Sequence, residues 1–366
     1  MPFQCGIIGL PNAGKSTLFS ALTAQQAETG NYPFTTIDPN KGIVPVPDDR
    51  LLQTAKAAGC EKITPAALTF VDIAGLVEGA SRGEGLGNLF LAHIREMDIL
   101  LHLVRGFADP QVSRACRFDD PMQQAEIVEL ELVMADLASL EKRREKIERQ
   151  LKTKDEKVKE EYSLLEKMIN YLEQGILLKE APLSTHEKEK MKSWQMLTAK
   201  PALYALNIDE ESLVSVSDNE EVLSFHKWAW AKGSACLIFS AALEAELGRL
   251  EGEEKKDFLH EYGLQEPALE ILIKEGKALL DLVAFFTVKG REARAWAVPR
   301  RTTAREAAGK VHSDMAKGFM SAEVIFWEDL VTAGSLATAR EKGLVRQEGR
   351  GYEVKDGEVL YIRFRS

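Results

Sequence analysis

The amino-acid sequence predicts an α/β chain: a mainly parallel sheet flanked by helices, interrupted by an all-helical arm and followed by a small α+β domain. Three observations predict it. Short apolar runs alternate with helical patterns through about the first 110 residues. Between Ala125 and Gln174 there is no Gly or Pro, and apolar residues recur at three- and four-residue intervals. From Leu282 onward, short strand-like runs surround one helical segment.

Taken in order, residues 3–8 read as a buried strand and residues 15–24 as a helix with Leu18 and Leu22 on its inner face. Residues 68–73 and 99–104 read as further strands, and strands separated by helices imply parallel pairing. Ile127, Leu130, Met134, Leu137 and Leu140 begin a seam that resumes at Ile147, Leu151, Val158, Tyr162, Leu165, Ile169 and Leu172. That spacing predicts an antiparallel coiled coil or helical hairpin. Its middle, residues 141–161, holds nine Lys/Arg and seven Asp/Glu. Such a run is either a solvated helical surface or an arm whose basic tip touches RNA. Residues 200–207 and 235–240 return to strand character, so the arm reads as an insertion into the α/β domain. In the last part, residues 295–298, 323–327, 352–354 and 359–364 read as strands and 304–316 as a helix. Residues 355–358 carry a hairpin-turn signal before the final strand. The expected division is 1–120 with 200–281, then 121–199, then 282–366.

Composition narrows the function classes. The 366 residues hold 47 Lys and Arg against 57 Asp and Glu, a net charge of −10. A chain this acidic is not a general nucleic-acid coat protein, and RNA contact requires a local basic patch. A hydrophobic fraction of 45% allows a core in each domain. Cys5, Cys60, Cys116 and Cys236 are far apart and form no C-x-x-C pair, which argues against a disulfide framework or structural zinc and fits a reducing cytosol. No run approaches the length of a membrane span, and the first residues lack a basic signal-peptide region. The expectation is a soluble cytoplasmic protein with no membrane partner and no obligate oligomer.

Gly9-Leu10-Pro11-Asn12-Ala13-Gly14-Lys15-Ser16 matches G-x-x-x-x-G-K-[ST] after an apolar strand and before a helix. Such a loop turns successive N–H groups toward phosphate oxygens, and the helix N-terminus adds positive potential. Asn12, Ala13, Gly14, Lys15, Ser16 and Thr17 are therefore the candidate phosphate-binding residues. Lys15 reaches for the β- and γ-phosphates, and Ser16 offers a hydroxyl to Mg²⁺. Asp72 ends a strand about 60 residues later, in D-x-x-G with Gly75, and is placed to hold Mg²⁺ through water. The glycine-rich stretch from Glu78 to Asn88 reads as a switch loop. Between the two motifs, Tyr32-Pro33-Phe34-Thr35-Thr36 is a candidate first switch with Thr36 as a metal ligand, or else a plain turn. Gly75 and Leu76 form the second switch, and Leu76 stands where a water-orienting Gln would be. An apolar side chain there predicts slow intrinsic hydrolysis. No catalytic group beyond Lys15 is identifiable.

Guanine-specific relatives of this loop carry N-K-x-D after a strand. Here the stretch is Asn207-Ile208-Asp209-Glu210. Ile208 removes the Lys, and the extra methylene of Glu210 displaces the carboxylate, so discrimination for guanine should fall. This favours ATP or relaxed specificity, while a one-residue shift to Asp209 keeps guanine open. Ser240, Ala241 and Ala242 after the next strand are expected at the base.

These stretches, with NYPFTTIDPN, FVDIAGLVEGASRGEGLGN and the C-terminal AEVIFWEDL and DGEVLYIRFRS, resemble the YchF or Obg-like ATPases, in the Obg branch of translation-factor P-loop NTPases. The resemblance covers essentially the whole chain. It implies a P-loop NTPase domain with an inserted coiled-coil arm and a C-terminal TGS domain of β-grasp type. It implies slow hydrolysis of ATP, with GTP weaker, Mg²⁺ and K⁺ as candidate cations, and association with the ribosome and its rRNA in translation or stress control. It puts Ser16 and Thr36 at the Mg²⁺ ligands and Ile208 against the adenine ring. A GTP-dependent nucleic-acid-binding protein is the alternative it leaves. Two positions depart from the family: Arg114 stands where a His is usual, and Arg105-Gly106-Phe107 replaces Arg-Cys-Phe. His102, alone on an apolar strand, reads as a core residue.

Residues 289–310 carry Lys289, Arg291, Arg294, Arg300, Arg301, Arg305 and Lys310 against Glu292 and Glu306, with Trp296 among them. Clustered cations with an aromatic suit RNA, and a solvated sheet face with Trp296 in the core is the competing reading. Two function classes follow: an ATPase switch, or a nucleotide-stabilised RNA or ribosome adaptor with negligible turnover.

Overall fold

The computed structural model describes residues 3–28, 40–73, 86–108, 120–151 and 155–365. Along the first part run β1 (Phe3–Ile8), α1 (Lys15–Glu28), β2 (Lys41–Val46), α2 (Asp49–Ala57), a short β3 (Lys62–Thr64), β4 (Ala66–Asp72), α3 (Leu86–Glu96) and β5 (Ile99–Arg105). Three helices follow: α4 (Pro121–Gln150), α5 (Glu156–Glu173) and α6 (Thr185–Ser193). The chain then returns through β6 (Ala202–Asn207), α7 (Glu210–Val214), α8 (Glu220–Ala231), β7 (Cys236–Phe239), α9 (Ala241–Leu247), α10 (Gly252–Glu261) and α11 (Ala268–Leu279).

The first sheet has the order β2-β4-β1-β5-β6-β7. Only β2 runs antiparallel to its neighbour. Side chains alternate between two covered faces. Ile7, Leu101 and Leu103 join Leu18, Leu22 and Phe70 on one side. Ile8, Leu100 and Val71 join Phe90, Ile94 and Val128 on the other. Burial on both faces is why these strands read as continuous apolar runs. The carboxyl ends of β1, β4, β5, β6 and β7 share one edge, where ligands bind in open α/β sheets.

The arm departs from its sequence reading in phase. Leu130 and Met134, expected in the seam, are 58% and 49% exposed. Ala125, Val128, Leu132 and Ala135 are buried instead. The first half of α4 is thus a sheet-covering helix packed on Phe90 and Ile94. A three-four spacing admits neighbouring registers, and contact with the sheet selects this one. Further along, Leu140 and Ile147 pack with Leu165, Met168, Ile169 and Leu172, which is the expected hairpin. Asp155 caps α5 by accepting from Lys157 N at 3.0 Å. Arg143 and Arg144 pair with Glu161 and Glu166 across the hairpin at 3.1 and 3.7 Å, so part of the charged run is mutually paired.

The last part forms β8 (Leu282–Lys289), β9 (Glu292–Pro299), α12 (Ala304–Val311), α13 (Ser313–Lys317), β10 (Phe319–Phe326), α14 (Trp327–Ala333), α15 (Leu336–Glu341), β11 (Arg346–Glu348) and β12 (Glu358–Phe364). Its sheet order is β11-β10-β12-β8-β9-β3. Several expectations are corrected here. The helix expected over 304–316 breaks at His312, whose backbone is extended at φ −160°. Residues 352–354 are not a strand: Glu353 bridges to Thr303, and Val354 is buried in the core with the half-buried Tyr352 packed against it. The turn at 355–358 therefore closes no hairpin, and β12 pairs with β10 and β8. β8 and the two short helices after Phe326 were not foreseen as separate elements.

One strand crosses between the parts. β3 lies parallel to β9, with Thr64 opposite Arg294, and Thr64 Oγ1 donates to Glu292 Oε1 at 2.8 Å. Ala284, Phe286, Ala293 and Ala295 of the second sheet share a core with Leu51 and Ala55 of α2. Among the described residues no helix is long and apolar enough to cross a membrane.

Candidate nucleotide-binding site

The loop after β1 is shaped by three residues with positive φ. Gly9 is at φ 151°, Asn12 at 61° and Gly14 at 96°. A Cβ at Gly9 would stand 2.3 Å from the Leu103 carbonyl oxygen, so strand β5 admits only glycine there without a shift. Asn12 accepts left-handed geometry at lower cost than most residues. The resulting curl, followed at once by α1, is the arrangement that presents backbone N–H groups to an anion.

Lys15 is 8% exposed, and its ammonium donates to Gly9 O at 3.1 Å and Leu10 O at 2.7 Å. Burial pushes its pKa below the ordinary lysine value, and the charge of Asp72 pulls the other way. Asp72 ends β4 opposite Ile7 of β1. Burial pushes its carboxyl up, opposed by Lys15. Ser16 and Thr17 are exposed in the first turn of α1, and Ala13 is buried beneath. A half-buried carboxylate and an exposed hydroxyl beside a phosphate loop fit Mg²⁺, which takes few protein oxygens and completes its shell with phosphates and water. The expected ligand Thr36, the switch residues Gly75 and Leu76, and Arg114 lie outside the described residues. So do the Tyr32–Thr36 segment and most of the glycine-rich stretch, whose last residues, Leu86 to Asn88, open α3.

The base-side residues converge through one amide. Asn207, 5% exposed, donates from Nδ2 to Ala13 O at 3.1 Å and accepts from Ala241 N at 2.9 Å. It thus joins the phosphate loop to the turn after β7. Ser240 caps α9 by accepting from Leu243 N at 3.4 Å, while Ala242 is exposed. Asp209 is the N-cap of α7, and its Oδ1 accepts from Ser212 N at 2.7 Å. Glu210 sits half-buried in the first turn of that helix. Ile208 is 2% exposed and packs in a core with Val104, Leu206 and Phe225. Gly106 accommodates it: a Cβ at Gly106 would come within 2.9 Å of Ile208 Cγ2.

The remaining basic candidates do not form one patch. Lys289 and Arg291 flank the turn between β8 and β9, whereas Arg300 and Arg301 follow the far end of β9, about 25 Å away at strand rise. Arg291 pairs with Glu61 and Arg300 with Asp281. Arg305 donates to Ala316 O. Arg294 lies over the Trp296 ring at 4.2 Å, and Trp296 Nε1 donates to Thr287 Oγ1 at 2.9 Å. Sequence counting missed this dispersal because a strand separates its two ends. It also missed Gln124 of α4, whose side chain accepts from Arg105 N and donates to Arg105 O, pinning the arm to the end of β5.

Residues 4–129 match a family model described as 50S ribosome-binding GTPase, and residues 282–365 match the YchF GTPase C-terminal model, described as a protein of unknown function. The chain is 42% identical over 364 residues to a protein of Bacillus subtilis, covering 100% of both. It is 41% identical to one of Escherichia coli O157:H7, covering 100% of this chain and 99% of that one. Both relatives carry the name ribosome-binding ATPase YchF. A solved structure titled as the Schizosaccharomyces pombe YchF GTPase superposes with a TM-score of 0.88 at 32% identity, covering 99% of this chain and 97% of that one.

Proposed function

This chain belongs to the YchF family, and from that premise we propose that it is a ribosome-associated P-loop ATPase that binds ATP in preference to GTP and hydrolyses it slowly as a conformational switch. The observation that carries the reading is the Asn207 amide, which holds the phosphate loop and the base-side turn in one fixed relation.

The phosphates lie on the curl from Asn12 to Thr17. Lys15, held now by two carbonyls, has only to turn its ammonium outward to meet the β- and γ-oxygens. Phosphate oxygens are stronger acceptors for it than neutral carbonyls. Ser16 and Asp72, with Thr36, would hold Mg²⁺, which supplies charge neutralisation at the phosphates when bound. K⁺ remains a second candidate cation. ATP preference rests on the cap: the Asp209 carboxylate is engaged by Ser212 N, which leaves Glu210 as the acid nearest the base. Its extra methylene carries the carboxylate past the point where guanine's N1–H and 2-amino donors need an acceptor, and adenine has neither donor to leave unmet. Slow turnover follows from Leu76, which brings no water-orienting group.

The test is calorimetric titration of nucleotide-free protein with ATP and GTP in Mg²⁺, together with phosphate release with and without ribosomes. Tighter ATP binding and ribosome-stimulated release are expected. Tighter GTP binding makes the protein a GTPase, and absence of release under both conditions makes it an adaptor.

A further inference from the structure

A cavity of about 710 Å³ opens at the sheet edge opposite the phosphate loop. Phe3 begins β1 and Ala202 begins β6, and both line it, as do Asp98 just before β5 and Ser234 just before β7. Its other walls come from the foot of the arm and from Leu279, Leu280 and Pro299. Six cations line it: Arg95, Lys179, Lys188, Lys192, Lys200 and Lys232. Glu96 and Asp98 are the acidic lining residues, and Glu129 behind the wall pairs with Lys232, so cations outnumber acids at this surface of an acidic chain.

The cations of the floor are fixed by neutral acceptors. Lys200 donates to Arg95 O at 2.9 Å and Met97 O at 2.5 Å. Lys179 donates to Ser234 Oγ at 2.9 Å. Arg95 donates to Ser139 Oγ at 3.1 Å and Gln195 O at 3.4 Å. These bonds orient the ammonium and guanidinium groups. Lys232 differs, since it pairs with Glu129. Burial pushes Lys179 and Lys200 below the ordinary lysine value, against Glu129 and Glu180 beside the first and Asp98 and Asp136 near the second. An anion between them favours their charged forms. Lys188 and Lys192 stand exposed one turn apart on α6, at the rim. Met97, Met191 and Met196 add an adaptable apolar wall suited to a flat ring.

We propose that this cavity is a second ligand site, for a small organic phosphate of nucleotide size. The volume is that of a small-molecule pocket. Its walls join the sheet, the arm and the C-terminal part, so an occupant touches all three at once.

The test uses the full chain with the phosphate loop saturated by a non-hydrolysable ATP analogue and Mg²⁺. Adenosine 3′,5′-bisphosphate is then titrated calorimetrically. One further equivalent is expected to bind. Lys188→Ala with Lys192→Ala, both exposed on α6, should weaken that binding roughly tenfold or more and leave the affinity of the first site unchanged. Absence of a second equivalent in the unmodified protein overturns the proposal. So does second-site binding indifferent to the rim variant. Binding of a short single-stranded RNA at this cavity without binding of the bisphosphate also overturns it, and assigns the surface to nucleic acid.

Discussion

Gly14 and Asn207 occupy each other's space: a Cβ at Gly14 would stand 2.3 Å from Asn207 Nδ2. The same nitrogen donates to the neighbouring Ala13 carbonyl, so the phosphate loop is threaded under the amide of a residue 194 positions away. Two substitutions probe the two sides of this contact.

Gly14→Ala should fold but lose nucleotide. The added methyl meets the Asn207 amide, and φ at 96° strains any L side chain. The expected cost is about 1–3 kcal/mol of stability. ATP titration should show no binding at concentrations that saturate the unmodified protein. A Gly14→Ala variant that binds ATP normally would mean that the loop relaxes away from Asn207.

Asn207→Ala removes the peg instead. Ala13 O and Ala241 N, both in buried residues, lose their partner. Each orphaned group costs about 1–3 kcal/mol. A lowered melting temperature is expected, with ATP affinity weakened at least tenfold because the loop and the base-side turn no longer hold register. Asn207→Asp keeps the acceptor for Ala241 N but sets a buried carboxylate oxygen against Ala13 O, so it should lose at least as much stability as Asn207→Ala.

Base choice separates two neighbouring acids. Glu210→Asp shortens the acid toward the position guanine requires, and the GTP-to-ATP affinity ratio should rise by roughly tenfold or more. Asp209→Ala should leave that ratio unchanged and cost about 1 kcal/mol of stability through the lost helix cap. The paired titrations decide between them: a ratio that responds to Asp209→Ala would make Asp209 the base reader.

The loop proposed for phosphate was legible because its pattern is local. Gly9 to Ser16 is contiguous, and Asp72 follows a strand that any apolar count finds. What escaped depends on contacts between distant segments. The phase of α4 was misread at Leu130 and Met134 because only packing on Phe90 and Ile94 tells which register is buried. Lys62-Ile63-Thr64 is too short to announce a strand, and its partner β9 lies 230 residues on, from Lys62 to Glu292. The run of cations from Lys289 to Lys310 looked like a patch because proximity in sequence was taken for proximity in space. The cations that do converge, from Arg95 to Lys232, are spread through the chain. Resemblance to a family carried the arm and the last domain further than periodicity did.

Arg50 ties the two sheets together. Its guanidinium donates to Asp356 Oδ2 at 2.7 Å and to both Asp48 oxygens at 2.8 Å, while Asp356 Oδ1 accepts from Ala284 N at 2.7 Å. Asp356 remains 41% exposed, which limits the strength of the pair. A double-mutant cycle with Arg50→Ala and Asp356→Ala should give a coupling of about 1 kcal/mol. Denaturant unfolding of the four proteins measures it. Zero coupling would shift the connection to β3, the shared apolar core and surface pairs such as Arg291 with Glu61.

His102 makes stability depend on acid. It sits 3% exposed on β5, tilted against the Tyr204 ring at 5.3 Å, with no hydrogen-bond partner for Nε2 among the described residues. Burial, followed by the charges of Lys179, Lys232 and Lys15, pushes its pKa from 6.5 down to about 3. The unfolded chain therefore binds a proton that the folded chain refuses between those values, and folding stability rises with pH across that window. Above pH 6.5 the histidine is neutral in both states and contributes no slope. As pH falls from 6.5 toward 3 the unfolded state gains and the protein weakens. His102→Leu replaces the ring with an apolar side chain and removes this titration. Urea unfolding of both proteins from pH 8 to pH 4 should show a constant difference above 6.5 and a steady relative loss in the histidine protein below it. A difference that stays flat over the whole range would show that His102 takes up its proton equally in both states, and would contradict its burial against Tyr204.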